Sequence, residues 1–442
     1  MPKPSFFLGH LPYFRENPLG FLEACIEDGA DLVPLRFLNR RVLLVNDPQQ
    51  IETILTSQSK NFRKTIGYRT PFMRRLFGQG LLTSEGPLWT QQRRLAQPAF
   101  HRERIASYAD IIVRFAKDML TTWQSGQQRD VHDDVMKLTT RVVVKTLFNA
   151  EVPPAIAQLG DASEAVLTEF TRQYGIWRFI RGLLPGSGSG RFEQVLQEID
   201  QFIYGLIRER RQNGENAGDL LSMLLSARDE TGQGMNDQQL RDELVTLMVA
   251  GLDTTALAVS WSLFLLAKNP GEQTKLIDEI RQTVGSRPPA FADLPQLRYT
   301  DAILKESMRL FPPAWIIGRE ALSETQIGPH RLRKGDSAIM SQWLKHRDPR
   351  HFPDAMTFRP SRWLDGSTST LPKFAYFPFG GGPRVCIGSN FATMEGTLVL
   401  ATIFQAFEFE CEPGYDVQPW PSITLQARGG IHLRLKKSSD LG

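Results

Sequence analysis

The spacing of apolar and polar residues changes along the chain, and each change predicts a different kind of element. Two apolar runs of strand type, 32–38 and 41–47, flank Asn39-Arg40 and predict a β-hairpin. From about residue 85 to 285 the apolar positions recur mainly at helical spacing, and strand-like runs return after residue 313. The pattern therefore predicts a mainly α-helical, mixed α+β fold with small sheets at its margins.

The longest predicted helix begins after Asn236 and ends at Asn269-Pro270. Asn236 is a favourable N-cap, Gln239 occupies the capping-box position, and the proline stops the helix. From Leu244 to Leu266 the helix is apolar on nearly every face, so we expect it to be buried.

A short stretch with polar residues, Ala250-Gly251-Leu252-Asp253-Thr254-Thr255, interrupts this apolar helix. A buried carboxylate and hydroxyl are costly unless they have partners or a task. One interpretation is structural: Thr254 bonds to a carbonyl of the preceding turn, and Asp253 forms an ion pair. The other interpretation is a chemical role, and the spacing by itself leaves both open.

Length and composition indicate one large globular unit. The chain has 442 residues, 41% of them hydrophobic, which is enough to bury a large core. Length alone would suggest two or three domains, but no internal repeat or long linker marks a boundary. We therefore expect a single domain over residues 1–442, with a β-rich region at about 30–50, helices over about 85–312 and a cysteine loop at 379–388.

Charge and cysteine content narrow the class of protein. A net charge of +4 is too small to indicate a nucleic-acid-binding protein. Three cysteines without paired spacing argue against a disulfide scaffold and favour a reducing compartment. The longest apolar run, 258–267, is shorter than the about 18 residues of a membrane span, and the N-terminus lacks a signal-peptide pattern. We expect a cytoplasmic protein with no membrane anchor.

One cysteine, Cys386, lies in an unusual segment, Phe379-Gly-Gly-Gly-Pro-Arg-Val-Cys-Ile-Gly388. Glycines and proline predict a tight loop, and the run 390–404 after it predicts a helix. A nearby arginine and a helix N-terminus both favour the thiolate, and a lone thiolate suits ligation of a haem iron. An isolated cysteine is otherwise a small buried hydrophobe, which is our interpretation of Cys25 and Cys411.

The segment matches the pattern F-x-x-G-x-R-x-C-x-G at Phe379, Gly382, Arg384, Cys386 and Gly388. In this it resembles the haem-binding signature of the cytochrome P450 family. The resemblance implies haem b with the Cys386 thiolate as axial ligand and Phe379 packed near the sulfur. It also implies the family fold, a mainly helical prism with the haem buried between two long helices.

The stretch that interrupts the long helix is similar to the A-G-x-(D/E)-T motif that this family carries over the haem. The resemblance implies that Gly251 leaves room for dioxygen, that Thr254 hydrogen-bonds it, and that Asp253 relays protons from solvent. This acid–alcohol pair favours monooxygenation over the isomerase, dehydratase or peroxygenase chemistry of family members that lack it.

A buried ion cluster is the third implied feature. Glu306 and Arg309 match the family's E-x-x-R, three residues apart on a helix predicted over 300–310. Arg362, in Phe358-Arg-Pro-Ser-Arg-Trp363, supplies the second arginine of a Glu-Arg-Arg cluster that supports the cysteine loop. Ser361 and Trp363 replace the usual Glu and Phe. We interpret this trio as structural.

Haem propionates need cations or N–H donors when they are buried. The resemblance implies Trp89 and Arg93 from a W-x-x-x-R pattern, Arg384 in the cysteine loop, and Arg319, ten residues after Arg309. Considered one at a time, each arginine is more commonly explained as part of a surface salt bridge or as a solvated group.

Several apolar segments are candidates for substrate contact, and any of them could be ordinary core. They lie in a loop predicted over Tyr68–Leu81, in the long helix, after the Glu306 helix and near the C-terminus: Phe72, Met73, Ala250, Ala314, Trp315, Ile316 and Ile423. A stretch around Trp177, Phe179, Ile180, Leu183 and Leu184 is a candidate entrance lid. Together they predict a lipophilic substrate such as a fatty acid, terpenoid or carotenoid.

No flavin- or nicotinamide-binding segment follows the predicted haem domain, so we expect electrons from a separate ferredoxin or flavodoxin with its NAD(P)H reductase. A basic cluster of Arg93, Arg94, Arg102 and Arg104 is a candidate docking face, or a solvated basic surface.

We expect a monomer. The competing functional class is a haem-binding protein that never turns over, and the Asp253–Thr254 pair argues against it.

Overall fold

The structure is a computed structural model, and it describes residues 3–153, 190–214, 218–228 and 232–438. The candidate lid at Trp177–Leu184 lies outside these residues. The chain divides into two compact units. Unit 1 is Met1–Thr70 with Glu306–Cys386, and unit 2 is Pro71–Lys305 with Ile387–Gly442. The single-domain organisation expected from the sequence stays a prediction.

Helices dominate, as the apolar spacing predicts, and the fold class is confirmed as mainly α with small sheets. The described helices are α1 (Leu11–Glu16), α2 (Pro18–Ile26), α3 (Pro48–Glu52), α4 (Pro71–Phe77), α5 (Gly86–Ala96), α6 (Arg102–Ser107), α7 (Ala109–Leu120), α8 (Val131–Phe148), α9 (Gly190–Asn213), α10 (Leu220–Ser226), α11 (Asp237–Lys268), α12 (Pro270–Thr283), α13 (Arg298–Leu310), α14 (Gln342–Lys345) and α15 (Ser389–Phe404).

The strands are short and form small sheets. They are β1 (Leu32–Phe37), β2 (Arg40–Val45), β3 (Phe62–Lys64), β4 (Gln128–Asp130), β5 (Ile317–Ala321), β6 (Thr325–Ile327), β7 (His330–Leu332), β8 (Ser337–Met340), β9 (Phe407–Glu410), β10 (Pro419–Pro421), β11 (Leu425–Ala427) and β12 (His432–Lys437).

Unit 1 is built on a five-stranded sheet of order β1-β2-β8-β5-β3. The predicted hairpin is present, but its turn lies one residue earlier than Asn39-Arg40. Phe37 pairs with Arg40, which leaves Leu38-Asn39 as the two-residue turn, with Leu38 at a left-handed φ of 56°. Apolar residues of the sheet and of helix α3 form the core of this unit, including Leu43, Ile51 and Met340.

Unit 2 is organised around α11, the predicted long helix. It begins at Asp237 behind an Asn236 N-cap whose capping box with Gln239 is complete, and it ends at Lys268 before Pro270. Helices α8, α9 and α15 pack against it. By length and composition α11 could cross a membrane, yet 72% of its most apolar window is buried inside the protein, as in the core helix of a globular fold.

The segment Tyr68–Leu81 is not the loop expected from the sequence. It begins within a short 3-10 turn, Ile66–Arg69, and continues into α4. Pro71 begins this helix, where a missing N–H costs nothing. Phe72, Met73, Leu76 and Phe77 fall on one helical face and are all buried, so the apolar residues pack as core.

Candidate functional site

The cysteine loop in unit 1 folds back on itself at Cys386. The Cys386 amide donates to the Phe379 carbonyl at 3.0 Å, and the Val385 amide donates to the Gly382 carbonyl at 3.1 Å. Gly380 and Gly382 have φ values of 72° and 67°, which glycine adopts without strain. The thiol of Cys386 is exposed and forms no disulfide.

The glycines let the loop lie against its own unit. A Cβ at Gly382 would be 1.7 Å from the Leu55 carbonyl oxygen, and one at Gly381 would be 2.3 Å from the Phe374 ring. Leu55 belongs to a π-helical turn, Thr53–Ser57. Any larger residue would push the loop away from this support, so the glycines fix where the thiol is presented.

The structure brings the predicted Glu306–Arg309–Arg362 trio together in the interior of unit 1, each at most 1% exposed. Glu306 accepts five hydrogen bonds. Arg309 donates two and Arg362 one, all at 2.9 Å, and the Arg359 amide donates at 3.0 Å. The fifth donor is the Trp363 indole N–H at 2.9 Å. A buried carboxylate with this many partners has recovered much of its lost hydration.

The two arginines extend the cluster to the backbone. Arg309 also donates to the carbonyls of His346 at 2.9 Å and Ala355 at 2.6 Å, and Arg362 donates to Pro353 at 3.1 Å. Burial lowers the pKa of the Arg362 guanidinium, while attraction to Glu306 opposes the shift. One carboxylate thereby fixes the irregular segment between α14 and Trp363, which has little regular secondary structure.

Trp363 was noted in the sequence only as a departure from the usual Phe. Its role as a hydrogen-bond donor was missed, because a motif records residue types and not which atom faces the carboxylate. The signal was its indole nitrogen, a donor that needs a partner when buried.

Lys64 is another residue that sequence reasoning missed. It is 9% exposed and lies directly opposite Arg319 in the pairing of β3 with β5. Burial raises the pKa of nearby Tyr68, and the charge of Arg319 opposes that shift. The pairing thus places two cationic side chains across from each other at this edge of the sheet. Arg384, half-buried, lies in the turn Gly382–Arg384.

In unit 2, Trp89 and Arg93 lie one helical turn apart on α5, and both are half-buried. Arg94 on the same helix, with Arg102 and Arg104 on α6, is exposed. The basic residues therefore separate into a half-buried one and a solvent-facing group.

Thr254 and Asp253 both lie midway along α11, where the buried part of the helix is interrupted by more accessible residues, and each is hydrogen-bonded to another residue. The Thr254 hydroxyl donates to the Ala250 carbonyl at 2.7 Å, as the structural interpretation predicts. Asp253 is not ion-paired within the described residues. Its carboxylate accepts hydrogen bonds from Thr424 at 2.6 Å and from Gln426 at 3.0 Å to each oxygen.

The middle of α11 also contacts α8 closely. A Cβ at Gly251 would be 3.1 Å from Val143, so a larger residue there would press on α8. Ala250 is exposed, and Gly251 is half-buried. This stretch is the break in a helix that is buried over most of its length.

The other substrate candidates differ in what they contact. Phe72 stacks on Phe192 with ring centroids 5.1 Å apart. Trp315 is 5% exposed and stacks on Phe14 at 6.3 Å. Ala314, Ile316 and Ile423 are half-buried, as is expected of residues that could meet a ligand, and Met73 is buried with Phe72.

Glu395 on α15 was overlooked in the sequence. It is fully buried, and neither carboxyl oxygen has a hydrogen-bond partner among the residues described. Burial alone raises the pKa of this carboxyl well above its ordinary value. The sequence signal was the single charged residue in a mainly apolar run, Met394–Ile403.

The fold is mainly helical, unit 1 carries an exposed cysteine on a glycine-supported loop, and the long helix of unit 2 carries the Asp253–Thr254 pair. The chain matches the family model for Cytochrome P450 over residues 1–433, and it belongs to this family. It is a cytochrome P450 monooxygenase, an oxidoreductase.

Bacterial relatives cover nearly the whole chain. It is 36% identical to cyclooctatin synthase of Streptomyces melanosporofaciens over 422 residues, covering 95% of this chain and 91% of the relative. It is 33% identical to cyclooctat-9-en-7-ol 5-monooxygenase of the same organism, covering 92% and 88%. With pentalenene oxygenase of Streptomyces avermitilis it shares 31% identity, covering 97% and 95%.

Proposed function

We propose that this enzyme hydroxylates a terpenoid, using haem b held by the Cys386 thiolate. The observation that carries the proposal is the Asp253–Thr254 pair in the break of a buried helix, within a chain of the P450 family. The substrate class is supported by the relatives, because the names of three of them refer to terpenoid chemistry.

The residues present fit a haem. Cys386 is exposed on a loop whose Gly382 lies so close to the Leu55 carbonyl that only glycine fits there. Lys64 and Arg319 form a cationic pair at the β3–β5 edge, and Trp89 and Arg93 add an N–H donor and a cation. Cations and N–H donors are what two buried propionates require. We assign Arg384 and Arg319 to the same task, and Phe379 and Gly388 to the shape of the loop.

When bound, haem with a thiolate ligand supplies the chemistry of dioxygen activation. The protein's own part is proton supply. Asp253 is half-buried, and Thr254 carries the hydroxyl next to it in sequence. Proton transfer through this pair requires Thr254 to release the Ala250 carbonyl, because its single proton is committed there.

The substrate contacts that we favour are Ala250 on α11, Ala314 and Ile316 before β5, and Ile423 near the C-terminus. Each is at least partly accessible. Trp315 is committed to its stack on Phe14, and Phe72 and Met73 pack in the interior, so we give these three a supporting role behind the contact surface. Small and aliphatic side chains suit a hydrocarbon skeleton with few polar groups.

Electrons come from a separate partner in this proposal, a ferredoxin or flavodoxin with its NAD(P)H reductase. Exposed Arg94, Arg102 and Arg104 provide a positive face for an acidic protein. Cytoplasmic location and a monomeric state stay predictions from the sequence.

The test supplies the purified holoenzyme with a surrogate ferredoxin system, NADPH and a panel of cyclic terpenes under ¹⁸O₂. We expect at least one terpene to shift the haem spin state and to yield a product that carries one ¹⁸O atom. Fatty acids and carotenoids form the comparison panel. A product labelled only from water, or turnover confined to fatty acids, would contradict the proposal.

A further inference from the structure

The turn between β10 and β11 holds the Asp253 carboxylate. Thr424 donates its hydroxyl proton to Asp253 Oδ2 at 2.6 Å and accepts the Gln426 amide at 2.7 Å. Gln426 also donates to both Asp253 oxygens at 3.0 Å. Each of the three side chains is therefore hydrogen-bonded to the other two.

The holding groups are uncharged and well buried. Thr424 is 8% exposed and Gln426 is 6% exposed, and the described residues bring no cation to Asp253. Such a contact differs from a surface ion pair, because salt does not screen it and its geometry is short and fixed. A half-buried carboxylate held this way has one defined position.

The hairpin that carries the two donors is itself anchored to α11. The Trp261 indole N–H donates to the Leu425 carbonyl at 3.3 Å, two helical turns after Asp253. The Ser422 amide donates to the Thr424 carbonyl at 3.0 Å, which closes the turn tightly around Ile423. Ile423, a proposed substrate contact, therefore lies between the closing residue of the turn and the residue that holds the acid.

We infer that Thr424 and Gln426 are positioning residues for the proton relay, which set the place of the Asp253 carboxylate and tie it to substrate contact at Ile423. The inference rests on the proposed function for the relay itself. It predicts that a substrate that displaces Ile423 also displaces the Asp253 carboxylate, because only Thr424 lies between the two. The fit of a substrate would then change how efficiently protons, and with them reducing equivalents, end in product.

The decisive variant is Thr424→Val, which keeps the shape and removes the hydroxyl. We expect product formed per NADPH to fall by about three- to tenfold and hydrogen peroxide to rise, because a hydrogen bond to a charged group is lost. Thr424→Ser should restore coupling to within about twofold of the wild type. Thr402→Val is the matched control, since it removes a buried hydroxyl bonded only to the Leu398 carbonyl.

The same substitution is then made in an Asp253→Asn background. If Thr424 acts through Asp253, adding Thr424→Val to Asp253→Asn should lower product formed per NADPH by less than about 1.5-fold. The reason is that the effects of coupled residues are not additive. An equal loss in both backgrounds, or unchanged coupling in Thr424→Val, would overturn the inference. Should Thr424→Val fail to fold, Gln426→Leu takes its place with the same two backgrounds.

A second measurement does not depend on turnover. Hydrogen exchange of the 419–427 amides should speed up in both Thr424→Val and Asp253→Asn and should stay unchanged in Thr424→Ser. Unchanged exchange in the first two variants would contradict the contact itself. If exchange responds as expected but no variant, including the wild type, forms a product, the proposed function fails while the positioning contact stands.

Discussion

Two carboxylates of this protein, Glu306 and Asp253, are held in opposite ways. Glu306 is completely buried and accepts five hydrogen bonds, three of them from arginine side chains. Asp253 is half-buried and is held by a hydroxyl and an amide. Removing a partner from the first leaves a charge stranded in the interior, whereas the second can exchange its partners for water.

This difference suits Glu306 to a structural role and Asp253 to a role in proton transfer. A charge network whose every member is buried cannot rearrange cheaply, so it suits a segment that must stay in place. A carboxylate that must accept and pass on a proton needs partners it can leave. The following experiments test whether the two carboxylates divide in this way.

Glu306→Gln should have the largest effect. The amide cannot accept from all of the donors, and two buried guanidinium groups lose their counter-charge, at a cost of about 3–5 kcal/mol. We expect little folded protein and poor haem retention, measured by absorbance ratio and thermal unfolding. Glu324→Gln is the control, because Glu324 forms an exposed pair with Arg331. A stable, haem-loaded and active Glu306→Gln protein would contradict a structural role.

Thr254→Ala tests the other side of the comparison. Haem loading and substrate affinity should persist, because the lost hydroxyl bonds only to a carbonyl of its own helix. Product per NADPH should fall by at least about tenfold, within the range of acid–base contributions. Thr254→Ser should recover most of the coupling. If Thr254→Ala couples normally, the hydroxyl is only the structural back-bond seen here.

Glu395 is a third carboxyl to compare with these two, and Glu395→Gln tests it. It is buried like Glu306, but its oxygens have no hydrogen-bond partners in the described residues. The pKa of Glu395 is raised by burial, so the folded protein keeps its proton while the unfolded chain releases it above about pH 4.3. Wild-type stability should therefore decline as pH rises from that value towards the raised pKa, by at most about 1.4 kcal/mol per pH unit.

Glu395→Gln removes that contribution, so its stability relative to wild type should increase between pH 5 and pH 8. Urea unfolding at three pH values measures the trend, with Glu324→Gln again as control. Parallel curves for variant and wild type would show that Glu395 ionises in the folded protein.

Much of the fold could be predicted from the sequence because its signals are local. The capping box at Asn236 and the proline after Asn269 set α11 within one residue of its observed ends. The predictions of the first hairpin's turn at Asn39-Arg40 and of a loop over Tyr68–Leu81 were wrong, because a one-residue register shift and a short apolar helix leave no distinct local pattern.

Some residues of the candidate site could likewise be predicted from the sequence, and others could not. Motif residues could be named from spacing, and the Glu306 trio is together in the structure. Lys64, Trp363 and the Thr424–Gln426 pair could not be named, because their roles arise from pairing across strands and between segments far apart in sequence. Glu395 was detectable in principle, as an acid inside an apolar helix.

Trp363→Phe should have the smallest effect and sharpens the comparison. It restores the more usual ring and removes one of five hydrogen bonds to Glu306, which we expect to cost about 1–2 kcal/mol of stability without loss of haem. Thermal unfolding of the holoenzyme measures it. A loss as large as that of Glu306→Gln would mean that the indole, and not the arginines, holds the cluster.

The central claim is that Cys386 ligates haem as a thiolate, and the ferrous carbon-monoxide difference spectrum tests it most directly. Wild type, Cys25→Ala and Cys411→Ala should all show the red-shifted Soret band typical of a thiolate ligand, and Cys386→Ala should lose it. Retention of the band in Cys386→Ala, or its loss in Cys25→Ala or Cys411→Ala with Cys386 intact, would contradict the account.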